Sequence, residues 1–247
     1  MLKKNRLYLI FISGFLSSCS SIYMPNVPNT PMLSQQGEFS GGLHGSLKGN
    51  FSLNGAYAIS NHFGALASTS YMNVEKAKRD YKHKLFEVGG GYFNTFGPDN
   101  NRIIEIYAGY GNAKTNRVFR NYDDNDVLLS TDFEEATYNK TFIQVNYSSK
   151  KSSNLRLFGH NFPINSGTAL RLTSAEMKTF MRNGIGQLRE GNVFIEPIFF
   201  TRMKVSEILQ LQYTTSGTFG LNSREFMNAN NSLFTIGAVI NMGGKKK

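Results

Sequence analysis

The sequence predicts an all-β protein: an antiparallel, up-and-down transmembrane β-barrel of about ten strands, or eight if neighbouring segments fuse. Three observations carry that expectation. Residues alternate between two faces from Glu38 to Met242, as a strand with a period of two requires. The chain is rich in glycine and aromatics, with 24 Gly, 20 Phe and 12 Tyr among 247 residues, no Trp and only 6 Pro. Its mean hydropathy is −0.31, which suits many short strands with one apolar face. Short and long connections also follow one another in turn, as they do when one set of turns faces the periplasm and the other the outside.

The strands read off in order. Phe39, Gly41, Leu43, Gly45 and Leu47 share a face, with Ser40, Gly42, His44, Ser46 and Lys48 on the other. After Gly49-Asn50, Phe51, Leu53, Gly55, Tyr57 and Ile59 oppose Ser52, Asn54, Ala56 and Ala58. Ser60-Asn61-His62 then turns the chain into Phe63, Ala65, Ala67, Thr69 and Tyr71. Further strands are expected near 82–95, 102–114, 138–148, 154–178, 191–202, 206–214 and 232–242. Segment 154–178 contains Pro163 and reads as a bent strand or a strand plus an excursion, since proline cannot donate to a ladder. The connections at 60–62, 96–101, 149–153 and 203–205 are short. Those at 74–81, 115–137, 179–190 and 215–231 are longer and polar, and 48–50 is a tight exception. Ten strands bring both ends of the barrel, residues 38–242, to one side. A soluble barrel would alternate too, but would not need this asymmetry.

The N-terminus reads as an address. Lys3, Lys4 and Arg6 precede an apolar run from Leu7 to Leu16 that matches the length of a secretory signal's core and is too short to span a bilayer. It ends in Leu16-Ser17-Ser18-Cys19, which resembles the lipobox of bacterial lipoproteins. The resemblance implies that residues 1–18 are removed and that Cys19 carries covalent diacylglycerol and an acyl chain such as palmitate, with no other cofactor. Cys19 is the single cysteine, so no intramolecular disulfide is available. Residues 19–37, with three prolines among Asn, Ser and Gln, read as the lipidated N-terminus and an extended linker. Ser20 follows with no acidic run, and by analogy with lipoprotein sorting this places the lipid on the periplasmic leaflet of the outer membrane.

The formal charge is +10, with 27 basic and 17 acidic residues; losing Lys3, Lys4 and Arg6 leaves 24 − 17 = +7. In a secreted chain this balance points to anionic lipid head groups rather than nucleic acid. The basic tail, 243–247, ends in Lys245-Lys246-Lys247 and reads equally as a membrane contact or a solvated end.

The hairpin Ala58–Gly64, the strand Glu87–Tyr92 and Phe194–Pro197 resemble those of small porin-like outer-membrane barrel proteins of Gram-negative bacteria. The resemblance covers most of 38–242 and implies the fold rather than one activity. Many members of that family end on an aromatic residue, whereas this barrel ends Ile240-Asn241-Met242-Gly243-Gly244.

Charges within the strands fall on the face opposite the apolar one. Glu87, Glu105, Lys140, Arg171, Glu196 and Arg202 are therefore expected in the lumen, because a charge facing lipid costs roughly 2–4 kcal/mol at the midplane. There they form a charge network that pairs and plugs, or else a narrow conduit. His44, His62, His83 and His160 have no metal-ligand spacing, so no metal is expected. The acidic stretch Asn121–Asp126, followed by Asp132, Glu134 and Glu135, lacks the glycine and terminal glutamate of a calcium loop. It reads as a solvated outer loop, its other use being a divalent ion bridging to lipopolysaccharide phosphates.

The function expected is non-enzymatic: a structural or interaction role in the outer membrane, as an accessory subunit of a complex or through contact with another outer-membrane protein or a surface polysaccharide. One alternative is a narrow channel for ions or small solutes. The other is a rim protease or lipid-modifying enzyme using Asp123, Asp124 or Asp126 with His83, although no Ser–His–acid grouping or local motif supports it.

Overall fold

The computed structural model describes residues 21–150, 153–157, 159–228 and 232–244. In chain order the strands are β1 (Phe39–Ser46), β2 (Asn50–Ala58), β3 (Phe63–Lys76), β4 (Arg79–Phe96), β5 (Arg102–Tyr122) and β6 (Leu128–Ser149). There follow β7 (Ser153–Leu157), β8 (His160–Arg182), β9 (Ile185–Gly186), β10 (Gly191–Lys204), β11 (Leu209–Ser216), β12 (Phe219–Gly220) and β13 (Leu233–Met242).

Ten of these close a ring. Strands β1 to β6 pair in sequence, then β6 with β8, β8 with β10, β10 with β11 and β11 with β13, every pair antiparallel. Strand β13 returns to β1, with Phe39 opposite Met242 and Ser46 opposite Thr235. Closure leaves no open edge, which hydrocarbon demands because backbone N–H and C=O groups there find no water.

Alternation puts polar groups inside and apolar groups outside, the reverse of a soluble barrel. Ser52, Asn54, Ser68, Ser70, Gln144, Thr173 and Thr235 are buried in the lumen. Leu43, Leu53, Phe86, Val88, Ile106, Ile143, Leu170, Leu172, Phe199 and Ile236 project outward as an exposed apolar belt. Tyr57, Phe63, Tyr92, Phe96 and Tyr147 lie outward toward one end, as an interfacial aromatic girdle does.

That end also holds the start of β1, the finish of β13 and the turns 59–62, 97–101 and 205–208. At the opposite end, called here the loop end, the strands run on. The polar segments 74–81 and 115–137, expected as loops, are mostly ladder: β3 and β4 continue to the pair Lys76–Arg79, and β5 and β6 to Tyr122–Leu128. The loops proper shrink to 77–78 and 123–127. Lipid is what makes a strand's outer face apolar. Beyond the belt water wets that face, so the two-residue pattern fades while the hydrogen bonds persist. Segment 154–178 resolves as a strand plus an excursion: β7 folds back on the start of β8, pairing Ser153 with Ile164. Pro163 lies one position before β8 engages β10 at Ile164–Met203. Pro197, inside β10, faces the break between β11 and β12, where Ile198 pairs Ser216 and Ile195 pairs Phe219. A missing N–H costs little at such a gap.

Candidate functional site

Residues 21–31 and Leu33 are buried, although their composition reads as a linker. They are extended as expected, yet they run inside the barrel as a strap along the lumen. A closed ten-stranded barrel is wider than the eight-stranded one that side chains just fill, and the strap takes up that extra space.

Its path is fixed by hydrogen bonds that progress steadily from the loop end to the turn end. Ser21 Oγ donates to the Asn228 carbonyl at 2.8 Å, and the Ile22 amide donates to the Phe226 carbonyl at 2.8 Å. The Ile22 carbonyl accepts from Tyr81 Oη at 3.3 Å and Thr115 Oγ1 at 3.2 Å. Tyr23 donates its hydroxyl to Glu196 at 2.8 Å and stacks on Phe194 with ring centroids 4.1 Å apart. Further along, Asn29 donates to the Gly55 carbonyl at 2.8 Å, while its own carbonyl accepts from Gln144 at 2.7 Å. The Leu33 amide donates to Glu105 at 3.0 Å. The wall opposite Leu33 is Gly64, where a Cβ would come within 2.8 Å of Leu33 Cδ1. At the turn end Gln36 reaches the Ile59 carbonyl at 3.1 Å.

All six charges expected in the lumen are there and buried. The structure sets them along the strap: Glu87, Lys140 and Arg171 form one ion-paired group, while Glu105, Glu196 and Arg202 each meet the strap separately. Glu87 accepts ion pairs from Lys140 at 3.1 Å and Arg171 at 3.2 Å. Asn26 sits between them, donating its amide to Glu87 at 2.8 Å and accepting from Lys140 at 3.0 Å. Arg171 also donates to Gln144 at 2.7 Å and lies 4.3 Å from the centre of the Phe142 ring. Glu196 takes the Tyr23 and Thr173 hydroxyls. Glu105 takes Asn146 at 3.0 Å and Tyr107 at 3.1 Å besides Leu33. Arg202 donates to Gln212 at 2.7 Å and to the carbonyls of Thr30 and Pro31.

Alternation missed Arg117 and Glu134, which form a buried pair nearer the loop end. They fall in the segment that was expected to be loop. With them, the buried charges among the described residues number four acids (Glu87, Glu105, Glu134, Glu196) and four bases (Arg117, Lys140, Arg171, Arg202). Buried ions need such partners.

The residues considered for catalysis are not brought together. Asp123 caps its own turn, accepting from the Asn125 and Val127 amides at 2.9 and 2.7 Å. His83 faces the lumen, 2.9 Å from Thr115 Oγ1, and Thr115 lies eight strand residues from Asp123, roughly 26 Å along the ladder. His44 is buried in the lumen, His62 is in the 59–62 turn and His160 opens β8. No group of three or more metal-ligating side chains occurs among the described residues. Cys19, the signal segment and Lys245–Lys247 lie outside the described residues.

A closed ten-stranded sheet with a polar interior and an apolar belt defines a porin-like outer-membrane β-barrel. No protein-family model and no curated protein matches the chain. Among solved structures, the translocator domain of autotransporter NalP from Neisseria meningitidis aligns over 83% of this chain and 85% of its own, at 12% identity and a TM-score of 0.42. The beta domain of the Bordetella autotransporter Brka aligns over 84% and 99%, at 9% identity and a TM-score of 0.31. The NanC porin aligns over 83% and 97%, at 8% identity and a TM-score of 0.26.

Proposed function

We propose that this chain is a non-enzymatic outer-membrane lipoprotein whose barrel is closed by its own N-terminal strap, and that its role is structural or one of interaction rather than transport or catalysis. The observation that carries this reading is the use made of the lumen charges. Glu87, Lys140, Glu105, Glu196 and Arg202 each bond directly to a strap residue, and Arg171 pairs with Glu87 and also reaches Asn26 at 3.5 Å. In an open conduit such groups would face water and passing ions. Beyond the belt, the β5–β6 arm and its 123–127 turn are the most extended feature of the loop end, and Val127, Leu128, Leu129 and Phe133 are exposed there. The arm is the part of the barrel best placed to meet another outer-membrane protein or a surface polysaccharide.

Planar-bilayer recording of the purified full-length protein tests the reading. A heat-modifiable barrel that inserts without adding conductance supports it. Regular open steps from the intact chain would return the narrow-channel alternative.

A further inference from the structure

We propose that the mature N-terminus leaves the barrel at the loop end, so that the lipid on Cys19 enters the outer leaflet from the cell surface. This reverses the periplasmic-leaflet placement expected from the sequence, which rested on Ser20, by analogy with lipoprotein sorting, and on both barrel ends lying on one side. The lipid rests on the lipoprotein reading above; the exit route rests on the strap alone.

The direction of the strap is set at both ends. Its first described residues, Ser21 and Ile22, bond to Asn228 and Phe226 in the connection between β12 and β13. Its other end bonds to Glu105 and then to the turn at 59–62. Residues 21–33 reach at most about 43–47 Å when extended, enough to cross an apolar belt roughly 25 Å tall. Cys19 lies two residues before Ser21, so the chain can carry it only about 7 Å further. The turn end is much more distant: Thr115, beside Ile22, and Glu105, beside Leu33, are ten residues apart on β5, about 33 Å along the strand.

The way back through the lumen is also closed. Ile22 and Tyr23 pack with Tyr138, Phe180, Phe194 and Met227 in one buried apolar cluster, below which the lumen is lined by the charges described above. Acyl chains find no passage there, whereas at the loop end they need only pass over the rim to reach the outer leaflet. The loop end is the outer one because the β3–β4, β5–β6 and β6–β8 ladders all run on beyond the apolar belt there, whereas the opposite end has both barrel termini, the short turns 59–62, 97–101 and 205–208, and one projecting hairpin, β7 with the start of β8.

Short epitope tags in the full-length chain test the exit. One tag goes between Ser20 and Ser21, a second at Asn125 in the loop-end turn and a third at Glu207 in the 205–208 turn. On intact cells, antibody is expected to label the first two, and the Glu207 tag only after the outer membrane is permeabilised. Labelling of the Ser20/Ser21 tag only after permeabilisation, with Asn125 labelled on intact cells, overturns the proposal. Should the insertion unseat the strap, a Ser21→Cys/Asn228→Cys pair in a Cys19→Ala chain asks the same question. A cross-link in the heat-modifiable barrel supports the route, and a folded barrel without one overturns it. Labelled palmitate separates the two readings. Incorporation lost in Cys19→Ala supports the lipid, and none in the wild type removes the lipoprotein reading and the leaflet placement whatever the tags show.

Discussion

Asn26 donates its side-chain amide to Glu87 at 2.8 Å, tying a residue that precedes the barrel to one in the middle of its wall. The same side chain accepts from Lys140 at 3.0 Å, so one strap amide completes a wall ion pair. Removing either partner should not be equivalent. Asn26→Ala leaves Glu87 and Lys140 to pair with each other and loses buried hydrogen bonds, at about 1–3 kcal/mol. Glu87→Gln leaves Lys140 and Arg171 as uncompensated buried cations and should cost more, about 3–5 kcal/mol. Urea unfolding of the two variants in lipid vesicles measures both. Asn26→Ala proving the more damaging would mean that the ion pairs do not depend on Glu87 as the geometry states.

The strap's role in closing the lumen predicts a gain of conductance. A chain lacking residues 21–34 keeps every barrel strand but loses the segment that fills the space between facing walls. In planar bilayers it is expected to open steps that the full-length protein lacks. Selectivity should be weak, because the exposed lumen carries as many acids as bases. A deletion variant that stays heat-modifiable yet silent would show that the wall side chains alone fill the lumen.

What the sequence disclosed follows from which solvent each face meets. Lipid forces one face of every strand to be apolar, so the belt and the inward direction of Glu87, Glu105, Lys140, Arg171, Glu196 and Arg202 were legible by parity. Parity says that a side chain points inward but not what it will meet there, so Asn26 and Tyr23 could not be read as partners. Beyond the belt the outer face is wet as well, so it need not be apolar and the contrast between the two faces is lost. Arg117 and Glu134 therefore looked like loop residues although they sit on a continuous ladder. The strap was hidden for another reason: an extended, proline-containing, polar segment has one composition whether it crosses a lumen or hangs in solution. Its single hint was Ile22, Tyr23, Met24, Val27 and Leu33, five bulky apolar residues, all buried, that a solvated linker has no use for.

The apolar belt makes a prediction that compares neighbouring positions. Leu172 faces lipid on β8 and Thr173 faces the lumen, where its hydroxyl donates to Glu196 at 3.0 Å. Leu172→Arg places a charge in hydrocarbon and should destabilise the barrel by about 2–4 kcal/mol near the midplane. Thr173→Ala removes one neutral-to-charged hydrogen bond, about 1.5–3 kcal/mol. The two separate by surroundings: in a water-soluble amphiphilic polymer that replaces the bilayer, the Leu172→Arg penalty should shrink while the Thr173→Ala penalty persists. Equal penalties for Leu172→Arg in both surroundings would place residue 172 away from lipid.

At the loop end, outside the bilayer, Arg120 holds Asp80 through a forked contact, with Nη1 3.1 Å from Oδ1 and Nη2 on Oδ2. Arg120 also reaches the Lys76 carbonyl at 3.2 Å, across the turn between β3 and β4. The hydrogen bond from Arg120 lowers the Asp80 carboxyl below its ordinary value of 3.8, with smaller help from the charges of Arg120 and Lys82. A carboxylate lowered in the folded state contributes its stability above its unfolded pKa and loses it as pH falls through the folded one. The pair should therefore hold this turn at neutral pH and down to the ordinary carboxylate range, and release it only in more acidic solution. The effect should be small, because the pair is partly exposed and salt screens it. Following the Asp80 carboxyl carbon by NMR checks it: the midpoint is expected below 3.8 and should return toward that value in Arg120→Ala. A midpoint at or above 3.8 in the wild type would mean that the fork does not hold in solution.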